Sequence, residues 1–289
     1  MKISIITAVF NRQATIAESV ASVATQVYAD LEHVVVDGAS TDGTLELLAQ
    51  VKYPAMRLSS ERDSGVYDAL NKGFSLSSGD IVGLMHSDDI YADSYVLRDV
   101  AKAFEDPTVD VVYGDLDYVF QSDTRRIVRH WVAGVFVERK LKRGWMPPHP
   151  TMFMRRSVME RLGGYDTAYR IAADYDAVLR LFTQMSVKTA YINRVLVKMR
   201  VGGMSNGSLA GIWKKSSEDL RALRSNGLGG TTTLFFKNVS KFGQFFRREA
   251  YAVDRRRSPL PRVRSEQDYR RLAEQIVVAR GKEPVAAEA

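Results

Sequence analysis

The chain has no cysteine among its 289 residues. That absence excludes a disulfide framework and any thiolate-based zinc site, and it suits a reducing compartment. No apolar run reaches the roughly 18 residues that a membrane-spanning helix needs. The first residues enter Lys2-Ile3-Ser4-Ile5-Ile6 directly, too short for a secretory core and with no small-residue cleavage site after it, so no signal peptide is expected. No internal repeat is visible. Nor does a glycine-rich phosphate loop follow the first apolar run, where Asn11-Arg12-Gln13-Ala14 stands instead.

What remains is an ordinary globular composition, 45% hydrophobic and 26% charged. The length suffices for one large α/β domain with an extension, or for two small domains. The formal charge of +7 is unevenly spread. Between Lys237 and Arg271 there are eleven Lys/Arg and four Asp/Glu, a net of +7, so the rest of the chain sums to about neutral. A basic segment of this kind calls for an anionic partner, membrane lipid or nucleic acid.

Hydrophobic periodicity sets out the elements. Ile3 to Val9 reads as a buried parallel strand. Thr15 and Glu18 have capping-box spacing ahead of a helix carrying Ile16, Val20, Val23 and Val27. His33 to Val36 is a second strand ending at Asp37. The turn Ser40-Thr41-Asp42-Gly43 leads into a helix with Leu45, Leu47 and Leu48. Val66 to Leu76 is a third helix, Ile81 to Met85 a third strand, and Asp93 or Ser94 caps a helix bearing Val96, Leu97, Val100 and Phe104. This alternation predicts a mostly parallel sheet flanked by helices, with ligands bound beyond the carboxyl ends of the strands. Further on, Val109 to Tyr113, Asp117 to Phe120 and Arg125 to Trp131 read as shorter strands. Ser157 to Leu162 reads as a helix with its own capping box (Ser157, Glu160), Asp174 to Gln184 as another helix and Val187 to Ile192 as a strand. Arg200 to Ser205 reads as a flexible loop, and residues 206–280 as a helical extension before a disordered tail, 281–289.

Four stretches carry candidate chemistry. Asp88-Asp89, two adjacent carboxylates past an apolar strand, are hard oxygen ligands suited to Mg²⁺ or Mn²⁺, or else a helix N-cap pair. Asp37-Gly38-Ala39-Ser40-Thr41-Asp42-Gly43-Thr44 combines small residues that let a ligand approach the backbone with an acceptor at Asp37; Asp42 reads largely as a cap. Glu61 to Gly73 gathers Asp63, Asp68, Asn71 and Lys72 around a helix N-terminus, where phosphate or ribose can be held, with capping by Asp63 or Ser64 as the plainer role. Asp174 and Asp176 sit at a helix start, where a carboxylate serves either as N-cap or as a general base.

Taken in order, Thr7-Ala8-Val9-Phe10-Asn11, Asp37 to Thr44, Asp80-Ile81-Val82-Gly83-Leu84 with Ser87-Asp88-Asp89, and Asp174-Tyr175-Asp176 with Leu179-Arg180-Leu181 resemble the family 2 glycosyltransferases. Glu61 to Gly73 looks like the subgroup used in bacterial O-antigen and exopolysaccharide assembly. The resemblance covers residues 1–205 and implies a GT-A fold, with a nucleotide-sugar half (1–105) and an acceptor half (106–205). It also implies a nucleotide-sugar donor (UDP-, GDP- or dTDP-linked), a divalent metal and inversion at the anomeric carbon. By position, Thr7, Phe10, Asn11, Asp37, Asp42, Asp63, Asp68, Asn71, Lys72, Asp88, Arg200 and Ser205 would bind the donor. Asp89, with Asp88, would hold the metal and Asp174 would be the base. Asp176 and His149 would face acceptor or diphosphate, although a structural hydrogen bond accounts for His149 equally well. His86 and Ala173 depart from the pattern, since the family often has acidic residues at both positions.

The family's processive members carry Gln-x-x-Arg-Trp and membrane spans. Neither is present here, so one sugar per acceptor is expected, with a polyprenyl-diphosphate-linked saccharide as that acceptor. The segment 231–271, with phenylalanines interleaved among basic residues, is then either an interfacial helix on anionic lipid or a helix packed on the domain. A membrane rather than a nucleic acid is the expected partner, and the inner face of the cell membrane the expected location. A nucleotidyltransferase making an activated sugar, or a non-catalytic membrane- or nucleic-acid-binding protein, are the alternatives. The missing glycine-rich loop counts against the first.

Overall fold

The computed structural model describes residues 1–202 and 209–234. Ser205 and residues 235–289, with most of the basic segment 231–271, lie outside them. One nine-stranded sheet organises the chain. Strands β1 (Ile3–Val9), β2 (Leu31–Asp37), β3 (Met56–Ser60) and β4 (Ile81–Leu84) are mutually parallel, in the order β3-β2-β1-β4. The second half enters by an antiparallel pairing of β8 (Phe153–Arg155) with β4, continues through β6 (Val111–Val119) and β9 (Thr189–Arg200), which pair in parallel, and closes on the short β5 (Ile90–Tyr91). Among the described residues β7 (Ile127–Trp131) pairs only with β6, as an antiparallel hairpin.

Two successive antiparallel steps, β4 to β8 and β8 to β6, restore the original direction. The carboxyl ends of β1, β2, β4, β6 and β9 therefore lie at one end of the sheet. Both faces are covered, which is why β1 and β2 are buried at every position and mostly apolar rather than alternating. Ile6, Ala8, Val34 and Val36 face one way, against Ala69 and Leu70 of α3 (Val66–Leu76), in a core that extends to α5 (Arg156–Leu162) and α6 (Ala173–Gln184). Ile3 and Ile5 face the other way, toward Val96, Leu97 and Val100 of α4 (Val96–Ala103). Val9 and Val35 meet α1 (Ile16–Ala24) and α2 (Thr44–Gln50). Among the described residues no helix is long and apolar enough to cross a membrane.

Several expectations change in detail. The two strands expected at 109–113 and 117–120 are one, β6. Its middle carries the buried Asp115, which accepts hydrogen bonds from the Ala133 amide (2.8 Å) and the Tyr191 hydroxyl (2.8 Å). A carboxylate satisfied by tertiary partners breaks the hydrophobic pattern without breaking the strand, although register shifts flank it. The strand expected over 187–192 continues to Arg200, so the loop expected from Arg200 begins one residue later. The edge strand β3 is half exposed and carries no readable pattern. Ser157 lies inside α5 rather than capping it, because the helix starts at Arg156. α7 (Leu209–Ser225), within the expected extension, packs on α6.

Gly73 marks the closest approach of α3 to the sheet. A β-carbon there would stand 2.3 Å from Ile6 Cγ2. Gly73→Ala is expected to lower unfolding stability by about 1–3 kcal/mol, the usual range for overpacking a filled core, despite the better helix propensity of alanine. Urea denaturation followed by circular dichroism measures it.

Candidate active site

The polar residues singled out by sequence gather at the carboxyl-end rim of the sheet. The first three loops interlock there. Asn11, directly after β1, adopts φ +50°, a left-handed conformation that asparagine tolerates better than most residues. Its amide donates to Ser40 Oγ (2.8 Å), and its side-chain oxygen accepts from the Thr41 amide (2.9 Å). Asp37, fully buried at the end of β2, accepts from the Ser40 amide (3.1 Å) and from Ser60 Oγ at the end of β3 (2.7 Å). Gly38 is the meeting point: a β-carbon would lie 2.5 Å from Asp63 Oδ2 and 3.4 Å from the Phe10 ring. Ala39 holds φ +63°, a costly value for alanine. Phe10 itself is 57% exposed, an aromatic face left open over this loop cluster.

The second group is the loop from β4 to β5. Ser19 Oγ donates to the His86 carbonyl (2.8 Å) and Thr15 Oγ1 to the Ser87 carbonyl (3.0 Å). Arg200 inserts its guanidinium between the Asp88 carbonyl and the Glu18 carboxylate, while its backbone amide donates to Asp89 Oδ1 (3.1 Å). Thr15 and Glu18, expected as a capping box, thus spend their side chains on this loop, and Thr15 makes no cap hydrogen bond. Asp89 is 1% exposed and its Oδ2 has no hydrogen-bond partner among the described residues. Burial first, then the neighbouring charge of Asp88, pushes the Asp89 carboxyl well above the usual carboxylate range. A buried carboxylate oxygen without a partner, beside the half-buried Asp88, fits a hard divalent cation. No cluster of three or more His, Asp or Glu suited to a metal occurs among the described residues. The protein therefore offers two carboxylates, a donor set suited to Mg²⁺ or Mn²⁺ that completes its shell with phosphate and water oxygens.

Third comes Asp174, half-buried in the first turn of α6. Its Oδ1 accepts from the Tyr175 amide (2.8 Å) and lies 3.3 Å from the Tyr67 hydroxyl, which donates to the Ile171 carbonyl at 2.6 Å. The charge of Asp174 reaches Tyr67, Tyr165 and His149. Tyr118 on β6, raised mainly by burial, also feels both Asp89 and Asp174.

Other expected residues are engaged within the fold. Thr7 is buried and pairs with His33 Nε2 (2.9 Å). Asp42 accepts from the amides of Thr44 (3.0 Å) and Gln13 (3.1 Å), but the N-cap of α2 is Gly43, one residue later than the cap expected at Asp42. Asp63 accepts from the Gly65 amide (2.8 Å) and Asp68 from the Ser64 amide (2.9 Å). Lys72 pairs with Glu61 (3.2 Å), and Asn71 makes a two-way amide pair with the Tyr165 backbone (2.9 Å each). Asp176 points away from the cleft, to Arg180 (2.8 Å) and Asn226 (3.2 Å). His149 is buried and bonded to the Tyr165 hydroxyl (2.9 Å), the structural hydrogen bond foreseen as its alternative.

Glu218 of α7 was not anticipated. Its buried carboxylate accepts from the amides of Arg170 (3.1 Å), Ile171 (2.8 Å) and Ala172 (3.0 Å), the turn that launches α6 and Asp174. No local pattern marks an anchor that lies about fifty residues away along the chain.

A family model described as "Glycosyl transferase family 2" matches residues 4–163. The chain is 34% identical over 210 residues to a PGL/p-HBAD biosynthesis glycosyltransferase of Mycobacterium tuberculosis, covering 70% of this chain and 78% of that protein. An uncharacterized glycosyltransferase of Nostoc sp. is 26% identical over 218 residues, 71% of this chain and 66% of that one. Among solved structures, S. aureus TarS 1–349 in complex with UDP-GlcNAc superposes with a TM-score of 0.62 at 18% identity, covering 82% of this chain and 70% of that chain. The mannosyltransferase PcManGT from Pyrobaculum calidifontis, in complex with GDP-Man and Mn²⁺, gives 0.58 at 20% identity, covering 100% and 76%. This chain belongs to glycosyl transferase family 2. It is a glycosyltransferase with the GT-A fold.

Two outcomes check the site's construction. Burial holds the His149 imidazole at about 4, so between pH 6.5 and 4 the unfolded chain takes up a proton that the folded site refuses. Stability is complete above that window and falls by up to about 3 kcal/mol as the pH drops through it; a His149→Gln variant should show a flatter pH profile in denaturant melts. Glu218→Ala leaves buried amides without an acceptor and should cost about 1–3 kcal/mol of stability, read by thermal unfolding.

Proposed function

We propose that this glycosyltransferase moves one sugar from a nucleoside-diphosphate donor to a hydroxyl of a lipid-linked saccharide, with inversion at the anomeric carbon, in the assembly of a cell-surface polysaccharide or glycolipid. The observation that carries the reading is the buried Asp89 carboxylate, one oxygen of which has no partner among the described residues, beside Asp88 just past the carboxyl end of β4. The donor complexes of TarS with UDP-GlcNAc and PcManGT with GDP-Man support a nucleotide-sugar donor, and the PGL relative supports a surface product.

In this scheme the exposed Phe10 ring, Asn11, Asp37 and Asp68 take the nucleoside. Asp88 and Asp89 hold the divalent ion; when bound, it neutralises charge on the departing diphosphate. Arg200 keeps Asp89 in place through its backbone amide and adds positive charge beside the pair. Asp174 removes the proton from the acceptor hydroxyl. That oxygen forms its bond to the anomeric carbon as the carbon–oxygen bond to the diphosphate breaks, and the leaving group departs with the electron pair. The Tyr67 hydroxyl, committed to the Ile171 carbonyl and lifted above its ordinary value by burial and by Asp174, stays protonated and fixes the orientation of the base. The chemistry takes place on the cytoplasmic leaflet, where the basic stretch 231–271 supplies charge toward anionic lipid.

Calorimetric titration with UDP-, GDP- and dTDP-sugars, with Mn²⁺ and with chelator, tests donor and metal together. One nucleotide class should bind in a metal-dependent way, and Asp89→Ala should abolish that binding; a folded protein that binds none overturns the reading. Asp174→Asn should retain donor binding while kcat falls by about 10²–10⁴-fold, and an unchanged kcat removes Asp174 from the role of base.

A further inference from the structure

The near-neutral sum of the residues before the basic C-terminal stretch conceals a local excess. Residues 120–143 hold seven Lys/Arg against two Asp/Glu, a net of +5. In the same stretch stand four exposed large hydrophobic side chains: Phe120 (38%), Ile127 (53%), Val128 (37%) and Val135 (65%). Exposed apolar side chains within a basic field are uncommon on a surface that only meets water.

Three of the four are held together by the β6–β7 hairpin. Ile127 pairs with Val119 at the end of β6, the Phe120 amide donates to the Arg126 carbonyl (3.1 Å), and the Arg126 guanidinium lies 4.5 Å from the centre of the Phe120 ring. Asp123, the hairpin's own acid, is paired with Arg125 at 3.1 Å. Among the described residues β7 is an outer strand bonded only to β6, and an outer strand with unshielded apolar residues invites a partner.

The tip also lies at a telling place. β6 runs parallel to β9 and ends at the active-site end of the sheet. The Val201 amide donates to the Val119 carbonyl (3.0 Å), one residue after Arg200 binds Asp89. The hairpin thus stands at the rim of the cleft. We propose that the tip formed by Phe120, Arg125, Arg126, Ile127 and Val128 docks on an anionic phospholipid surface, its apolar side chains entering the interface and its arginines meeting lipid phosphates, so that the cleft opens toward the membrane. This contact lies in the folded catalytic domain and is additional to the basic stretch 231–271. It deepens the proposed use of a lipid-linked acceptor, but it is measured without donor or acceptor, so its failure leaves the transferase reading standing.

The full-length protein is sedimented with vesicles of phosphatidylcholine alone and of phosphatidylcholine with phosphatidylglycerol. Arg125→Glu with Arg126→Glu should reduce partitioning onto the anionic vesicles by about 20-fold, given the attraction of each basic residue near such a surface. Ile127→Ser with Val128→Ser should also weaken it, while circular dichroism stays that of the parent. Because the chain lacks cysteine, Val128→Cys gives a single labelling position. An environment-sensitive dye there should shift to the blue and be quenched by brominated lipid, whereas the same dye at Lys52→Cys, in the α2–β3 loop at the opposite end of the sheet, should not respond. The proposal is overturned if the hairpin variants partition like the parent, if vesicle-bound protein shows no response at position 128, or if the tip binds nucleic acid or an acidic protein and not vesicles. A full-length Arg255→Glu, Arg256→Glu, Arg257→Glu variant should keep the response at position 128; its loss there would place the contact in the C-terminal stretch instead.

Discussion

The active-site rim depends on one buried cation, Arg200. Its guanidinium ties the Asp88 carbonyl to Glu18 of α1, and its backbone amide fixes Asp89. A lone arginine at 5% exposure would be costly. The Glu18 carboxylate and the Asp88 carbonyl offset that cost. Because Arg200 ends β9 and Glu18 lies in α1, the same contact fastens the last strand of the sheet to the first helix, across the loop that presents the two carboxylates.

Asp174 is held by a second and independent framework. Glu218 gathers the amides of the turn before α6, Tyr67 bonds to a carbonyl of that turn, and Asn71 pairs with the Tyr165 backbone. The Asp88-Asp89 loop and the acidic residue at α6 are therefore braced from different parts of the chain. α7 belongs to this bracing although the family match ends at residue 163. Cutting the chain at the end of the matched region would remove the whole of α6, Asp174 included, together with the acceptor for its leading turn.

Much of this was legible in sequence, and what was not has a physical cause. The strands β1, β2 and β4 announce themselves because both their faces are buried, and the order of acidic motifs along the chain carried the resemblance to the family. Local reading failed where a side chain serves a distant partner. Thr15 and Glu18 have capping-box spacing yet bind the β4–β5 loop and Arg200. The two strands read at 109–113 and 117–120 are one, because Asp115 between them is a satisfied buried carboxylate within β6. Asp176 stands two residues from Asp174, but helical geometry turns it toward Arg180 and α7. Glu218 had no sequence signal, since its ligands are backbone amides that any residues could supply.

The diversion of Thr15 and Glu18 has its own consequence. The opening turn of α1 has given up its side-chain cap to hold the loop that carries Asp88 and Asp89. Helix end and carboxylate loop are then ordered or loosened together: any ligand that stills the loop also slows solvent exchange at the amides that begin the helix. Those amides become a gauge of occupancy, one contact away from the loop that carries the two carboxylates.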